Sequence, residues 1–198
     1  MRIAVYLAHP QGDSFNRALF EAVIDELRSR AVEVVSHDLY AEGFDPMLAA
    51  GETETVDSTL AADVQVRRYQ DELAELDALI FVHPNWWGMP PAILAGWVQR
   101  VLTPAVAYKL DDAAGEPVGL LHAKRALVLN TSDTTADRER DVFGDPLHQI
   151  WAACVLPYIG VEDVRRKVFR TVTDSTEEMR TTWLHEAREL AAALAADL

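Results

Sequence analysis

A chain of 198 residues, 49% of them hydrophobic and 25% charged, is long enough to fold as one domain over residues 1–198 and to bury about 70% of its unfolded surface without a metal or a disulfide. Its formal net charge of −14 argues against nucleic acid and anionic membrane surfaces as partners. The lone cysteine, Cys154, excludes an internal disulfide and a cysteine metal cluster.

Apolar and amphipathic segments alternate from end to end, the pattern of repeated strand–helix units around a parallel sheet. The first strand falls near residues 2–8; its apolar run is too short for a signal peptide, so a cytoplasmic protein is expected. It leads into His9-Pro-Gln-Gly-Asp-Ser-Phe-Asn16. There Gly12 allows a turn, and Asp13 or Ser14 can cap a helix whose first N–H groups are left for an anion such as a mononucleotide phosphate. An ordinary capped turn would read the same way, and neither Gly-Lys-Ser/Thr nor Gly-x-Gly-x-x-Gly is present. Phe15, Leu19, Val23 and Leu27 then recur at helical spacing, and a second strand follows near 32–37.

The stretch 41–60, with Gly43, Pro46 and Gly51, reads as an irregular surface excursion before a second helix marked by Val64, Leu73 and Leu76. Glu52, Glu54, Asp57, Asp63, Asp71, Glu72 and Glu75 read as a solvated acidic face. Residues 77–83 form the continuous apolar run of a strand buried on both faces. Asn85-Trp86-Trp87-Gly88 therefore emerges at the strand ends, where open α/β sheets bind ligands. A flat aromatic loop with a close-approaching glycine suits a flat ligand. Pro90-Pro91 opens a third helix along Ile93, Trp97 and Val101, so Trp97 reads as core and Gly96 as a close contact with the sheet; Arg100 reads as an ion-pair or dimer residue rather than a catalytic one.

A fourth strand near 124–131 leads to Asn130-Thr-Ser-Asp-Thr-Thr-Ala136. Asp145-Pro146 starts a helix in which Cys154, among Ile150, Trp151 and Val155, reads as a packed core thiol. A last strand near 163–172 precedes the capping box Ser175-Thr-Glu-Glu178 and a helix along Met179, Trp183, Ala187, Leu190 and Leu194. Five such strands with helices on both faces predict a three-layer α/β sandwich, its parallel sheet in the order 2-1-3-4-5. The six histidines lack metal-ligand spacing, and no stretch reaches the roughly eighteen apolar residues that would imply membrane insertion.

The two loops together resemble the NAD(P)H:quinone oxidoreductase family of flavodoxin-like flavoproteins. The resemblance rests on His9 with Ser14-Phe15-Asn16, and on Pro84-Asn85-Trp86-Trp87-Gly88 followed by Pro91-Ala92-Ile93-Leu94-Ala95-Gly96-Trp97 and Arg100-Val101. It implies that His9, Ser14, Phe15 and Asn16 surround a flavin phosphate and ribityl chain. Pro84, Asn85, Trp86, Trp87 and Gly88 would line the ring, with backbone N–H groups near its N5 and O4 edge, and Thr131, Ser132 and Thr134 would contact it. Where many members carry Thr-Thr-Gly-Gly, this chain has Ser132-Asp133-Thr134, and Phe143 stands where some carry a histidine. The family's tyrosine and histidine are therefore not transferred, no side chain is assigned as catalytic, and His148 reads as a surface residue.

The resemblance further implies two-electron hydride transfer from NAD(P)H through flavin N5 to a quinone-like acceptor in a ping-pong cycle, with FMN expected, FAD as the alternative, and a homodimer. The rival readings are a flavin-binding regulatory subunit of a potassium-efflux-type transporter and a one-electron flavodoxin.

Overall fold

The computed structural model describes residues 1–52, 63–111 and 115–197. The strands are β1 (Arg2–Leu7), β2 (Glu33–Asp38), β3 (Ala78–Pro84), β4 (Tyr108–Leu110), β5 (Pro117–Gly119), β6 (Arg125–Ser132) and β7 (Asp163–Arg170). The α-helices are α1 (Phe15–Ser29), α2 (Val64–Leu73), α3 (Ala92–Val101), the short α4 (Ala136–Arg138), α5 (Pro146–His148) and α6 (Leu156–Tyr158), and α7 (Glu177–Ala196). Two π-helical turns, Glu139–Phe143 and Gln149–Val155, run on from α4 and α5.

β2, β1, β3, β6 and β7 form one parallel sheet in that order, which is the expected 2-1-3-4-5 arrangement of its five strands. The period of two within each strand sends alternate side chains to opposite layers. Ala4, Tyr6, Leu79, Phe81, Ala126 and Val128 pack under α2, α3 and the 147–159 segment. Ile3, Val5, Leu7, Ile80, Val82, Leu127 and Leu129 pack under α1 and α7. All seven residues of β3 are buried, as its continuous apolar run required.

The two-stranded antiparallel hairpin β4–β5 was not expected, because three residues per strand are too few to show a period. It seats by backbone contact: a Cβ on Gly119 would lie 2.2 Å from the Gly160 nitrogen.

Several local expectations are corrected. Val64 is 84% exposed, and the buried face of α2 is Val66, Tyr69 and Leu73. The last helix is capped one residue later than the capping box placed it: Thr176 Oγ1 accepts from Met179 N at 3.2 Å, while the Ser175 hydroxyl donates to the Val172 carbonyl. Cys154 is exposed, because the π-helical winding carries Trp151 and Leu156 inward and turns the cysteine outward.

The acidic stretch is exposed to water at Asp63, Asp71 and Glu75, as expected, but most of its described members also bind a basic side chain. Glu52 and Asp63 hold the buried Arg100 guanidinium, Glu72 accepts from His37, and Glu75 pairs with Arg2. Glu54 and Asp57 lie outside the described residues. Among the described residues, no helix is long and apolar enough to cross a membrane.

Trp97 is fully buried, as expected, but Gly96 faces the 45–47 loop and not the sheet: a Cβ there would lie 2.3 Å from the Pro46 carbonyl oxygen. Gly96→Ala is expected to destabilise the protein by about 1–2 kcal/mol, because forcing apart two backbone segments costs more than the roughly 1 kcal/mol that alanine's helix propensity returns. Thermal unfolding tests this, and an unchanged Tm would mean that the loop yields freely.

Candidate functional site

The order of the sheet reverses at β1, whose chain neighbours β2 and β3 lie on opposite sides of it, so a crevice opens beyond the strand ends there. Two adjoining clefts occupy this edge, and the twelve residues singled out in the sequence all line one or the other. The smaller, about 250 Å³, takes His9, Ser14, Phe15 and Asn16 from the β1–α1 turn, Pro84, Asn85 and Trp86 from the end of β3, and Thr131 and Ser132 from β6. The larger, about 640 Å³, adds Trp87, Gly88 and Thr134, and shares Asn85, Ser132 and Asp133 with the first.

In the β1–α1 turn, Ser14 Oγ accepts from Arg17 N at 3.2 Å and so caps α1. Helix geometry leaves the Phe15 and Asn16 N–H groups without intrahelical acceptors, at the end of the helix where the dipole favours an anion. Asn16 is buried and donates from Nδ2 to Thr131 Oγ1 at 2.8 Å, while its Oδ1 is buried with no partner among the described residues. A buried acceptor left open beside a cleft is the vacancy that a ligand hydroxyl would fill. Partial burial pushes the His9 pKa below the usual histidine value, so the ring is neutral near pH 7; it stands 5.9 Å from the Trp86 ring, and its Nδ1 accepts from Gln11 N.

The aromatic loop is a type I′ turn. Trp86 and Met89 exchange backbone hydrogen bonds of 3.1 and 3.0 Å across Trp87 (φ +58°) and Gly88 (φ +76°). Glycine adopts that conformation freely; tryptophan adopts it at a cost. Asn85 organises the turn: its N–H donates to the Thr131 carbonyl at 2.7 Å, its Oδ1 accepts from Gly88 N at 2.9 Å, and its Nδ2 donates to Glu139 Oε1 at 2.8 Å. The loop's donors are thus largely spent within it. Among the described residues, Trp87 alone of Asn85 to Met89 has a backbone N–H with no acceptor, and the residue is 97% exposed.

On the third side, Ser132 Oγ accepts from Thr134 N at 3.1 Å. Asp133 turns its carboxylate onto Thr173 N at 2.8 Å and so fastens the loop to the segment that follows β7. His148 is a surface residue. Phe143 is half exposed and does line the larger cleft, with the Arg138 guanidinium 5.2 Å from its ring centre.

Two features of the site had no sequence signal. Glu139 is buried in the wall, ion-paired to Arg170 and bonded to Asn85, although it sits among exposed charged neighbours at 137–141. Beneath Pro84 lies a buried polar relay. His83 donates from Nδ1 to the Pro84 carbonyl and accepts at Nε2 from the Trp151 indole at 2.9 Å. Asn130 bridges His83 to Arg166, which clamps both oxygens of Asp145. Asp145 caps α5, whose Pro146 supports Gly88: a Cβ on Gly88 would lie 3.0 Å from the proline ring. The relay therefore ties the end of β3 to the turn that carries Trp87.

The family described as the flavodoxin-like fold matches residues 1–193. A protein of Haemophilus influenzae named an uncharacterized NAD(P)H oxidoreductase is 29% identical over 85% of this chain and 83% of its own length. A ribosyldihydronicotinamide dehydrogenase [quinone] of Pongo abelii is 30% identical over 76% of this chain and 72% of its own. The solved NAD(P)H:quinone oxidoreductase of Methanothermobacter marburgensis superposes with a TM-score of 0.84 at 25% identity, covering 96% of this chain and 95% of that one.

Proposed function

We propose that this chain, which belongs to the flavodoxin-like fold family, is a flavin-dependent NAD(P)H:quinone oxidoreductase. The observation that carries the reading is the two-part cleft at the switch point, with the open Asn16 acceptor in its narrow arm and the Trp87 turn in its wide one. The names of the relatives point the same way. When bound, the flavin supplies the redox chemistry, relaying two electrons as hydride from NAD(P)H to a quinone-like acceptor in a ping-pong cycle.

The protein's part is binding and orientation. The first N–H groups of α1 hold a phosphate without a lysine, which suits a chain of net charge −14. Asn16 Oδ1 would accept from a sugar-chain hydroxyl, and Ser14, Phe15 and His9 would close around that chain. Pro84 to Gly88, with Thr131, Ser132 and Thr134, would frame the flat ring. The unspent Trp87 N–H would be available to the edge where negative charge accumulates on reduction, and would favour the reduced state there. The exposed Trp87 indole screens that face from water. No side chain of the site serves as a general acid or base.

FMN is the flavin we assign, with FAD as the alternative, and the protein acts as a homodimer. Protein reconstituted with either flavin is expected to reduce menadione at the expense of NADH or NADPH; no reduction with either nicotinamide would sink the proposal. Mass spectrometry of the released cofactor and the elution mass of the protein check the other two assignments.

A further inference from the structure

The larger cleft pairs two exposed aromatic surfaces, Trp87 and Phe143, with an unusual charge. Every other arginine on the 136–144 segment and on β7 is engaged by carboxylates: Arg140 by Asp137 and Asp141, Arg165 by Asp163 and Asp197, Arg166 by Asp145, and Arg170 by Glu139. Arg138 is the exception. Among the described residues its guanidinium makes no hydrogen bond or ion pair and is held only by its stacking over Phe143. A guanidinium so stacked is pre-organised with its donors free.

The carboxylates that share the cleft are already committed, Glu139 to Arg170 and Asp133 to the Thr173 N–H. In a chain of net charge −14, anionic molecules are repelled at long range, so an unopposed cation in a cleft wall is the feature that would admit them.

We propose that Arg138 recognises an anionic substituent on a flat aromatic acceptor. The preferred substrates would then be quinone-like rings bearing a sulfonate or carboxylate, seated between Trp87 and Phe143. This rests on the oxidoreductase reading above and names the acceptor class for the same cleft. A bidentate charge-assisted pair in a partly dry cleft favours the anion by about five- to tenfold.

The test compares kcat/KM for a naphthoquinone sulfonate with that for menadione in the flavin-loaded wild type, R138K, R138A and R138E, at low and high ionic strength, with NADH and with NADPH. The sulfonate-to-menadione ratio is expected to fall about five- to tenfold in R138A, to fall further in R138E, and to recover only in part in R138K, whose point charge attracts the anion but cannot pair with it bidentately. Salt should lower the ratio in the wild type but not in R138A. An unchanged ratio in R138A would overturn the proposal. So would a loss confined to NADPH, which would assign Arg138 to the coenzyme's phosphate.

A binding arm is independent of turnover: quenching of tryptophan fluorescence by naphthalenesulfonate and by naphthol. Preferential quenching by the sulfonate, lost in R138A, supports the anion site even if no acceptor is reduced, in which case only the oxidoreductase reading fails. Equal quenching by both probes in the wild type overturns the site itself.

Discussion

Glu139→Ala is expected to lower the stability of the protein by about 3–5 kcal/mol, the cost of removing one partner of a buried ion pair. Glu139 is 2% exposed and Arg170 is largely buried beside it, so the alanine variant strands a guanidinium that water reaches poorly. It also leaves the Asn85 amide without its acceptor. Asn85 is the residue that holds Gly88 N, so the Trp86–Met89 turn loosens with it. Two readouts follow: a lower midpoint in urea unfolding and a weaker affinity for flavin, because the ring-binding loop is no longer pre-organised. Glu139→Gln keeps an acceptor for Asn85 but not the charge for Arg170, so it should lose stability while keeping more of the flavin affinity. If both variants unfold within about 0.5 kcal/mol of wild type, the pair is too well hydrated to matter and the argument is wrong.

Stability should also fall steeply between neutral and mildly acidic pH, and His83 is the cause. Complete burial, with Arg166 close by, pushes its pKa down from 6.5 to about 4, whereas an unfolded histidine keeps its ordinary value. As pH falls, the unfolded chain therefore takes up this proton first. The contribution is fully present above about pH 7 and is lost as pH drops from about 6.5 toward 4, by about 3 kcal/mol in total. The structural reason is that no face of the ring can accommodate a second proton: Nδ1–H is spent on the Pro84 carbonyl, and Nε2 is faced by the donors of Trp151 and Asn130. Denaturant titrations at pH 7, 5.5 and 4.5 measure the slope. His83→Gln, though less stable at pH 7, should reduce the slope of that segment, leaving the contribution of the part-buried His9 and the acid limb due to carboxylates such as Asp145, which Arg166 holds below its usual range, and Glu42, which hydrogen bonds from His37 and Tyr69 hold down. A slope in the variant equal to that of wild type would remove His83 from the account.

How much could be read beforehand depended on whether a feature is local. The strand order followed from five apolar runs alternating with helical spacing, and β3 was recognisable because seven consecutive residues are buried. Both principal loops could be located because they sit directly after strands. Features written in a turn's own residues were also recovered, such as the Asp145 cap and Pro146 start of α5. Short or sliding features were not: β4 and β5 have three residues each, and the cap of α7 falls on Thr176 because neighbouring hydroxyl residues offer the same chemistry one position apart.

What the sequence alone determined, then, is the sheet, the edge at which a ligand would bind, and the turn and aromatic loop that flank it, since each is a pattern within about ten consecutive residues. Only the tertiary structure decided which polar groups are buried and with what. Glu139 meets Asn85 across 54 positions and Arg170 across 31, and His83 meets Trp151 across 68. A buried charge or imidazole is tolerable only when partners are delivered to it, and that delivery is a property of the packed chain. The same holds for an absence. Arg138 is distinguished by the partner it lacks while Arg140, two residues on, has two, and only folded neighbours can show that.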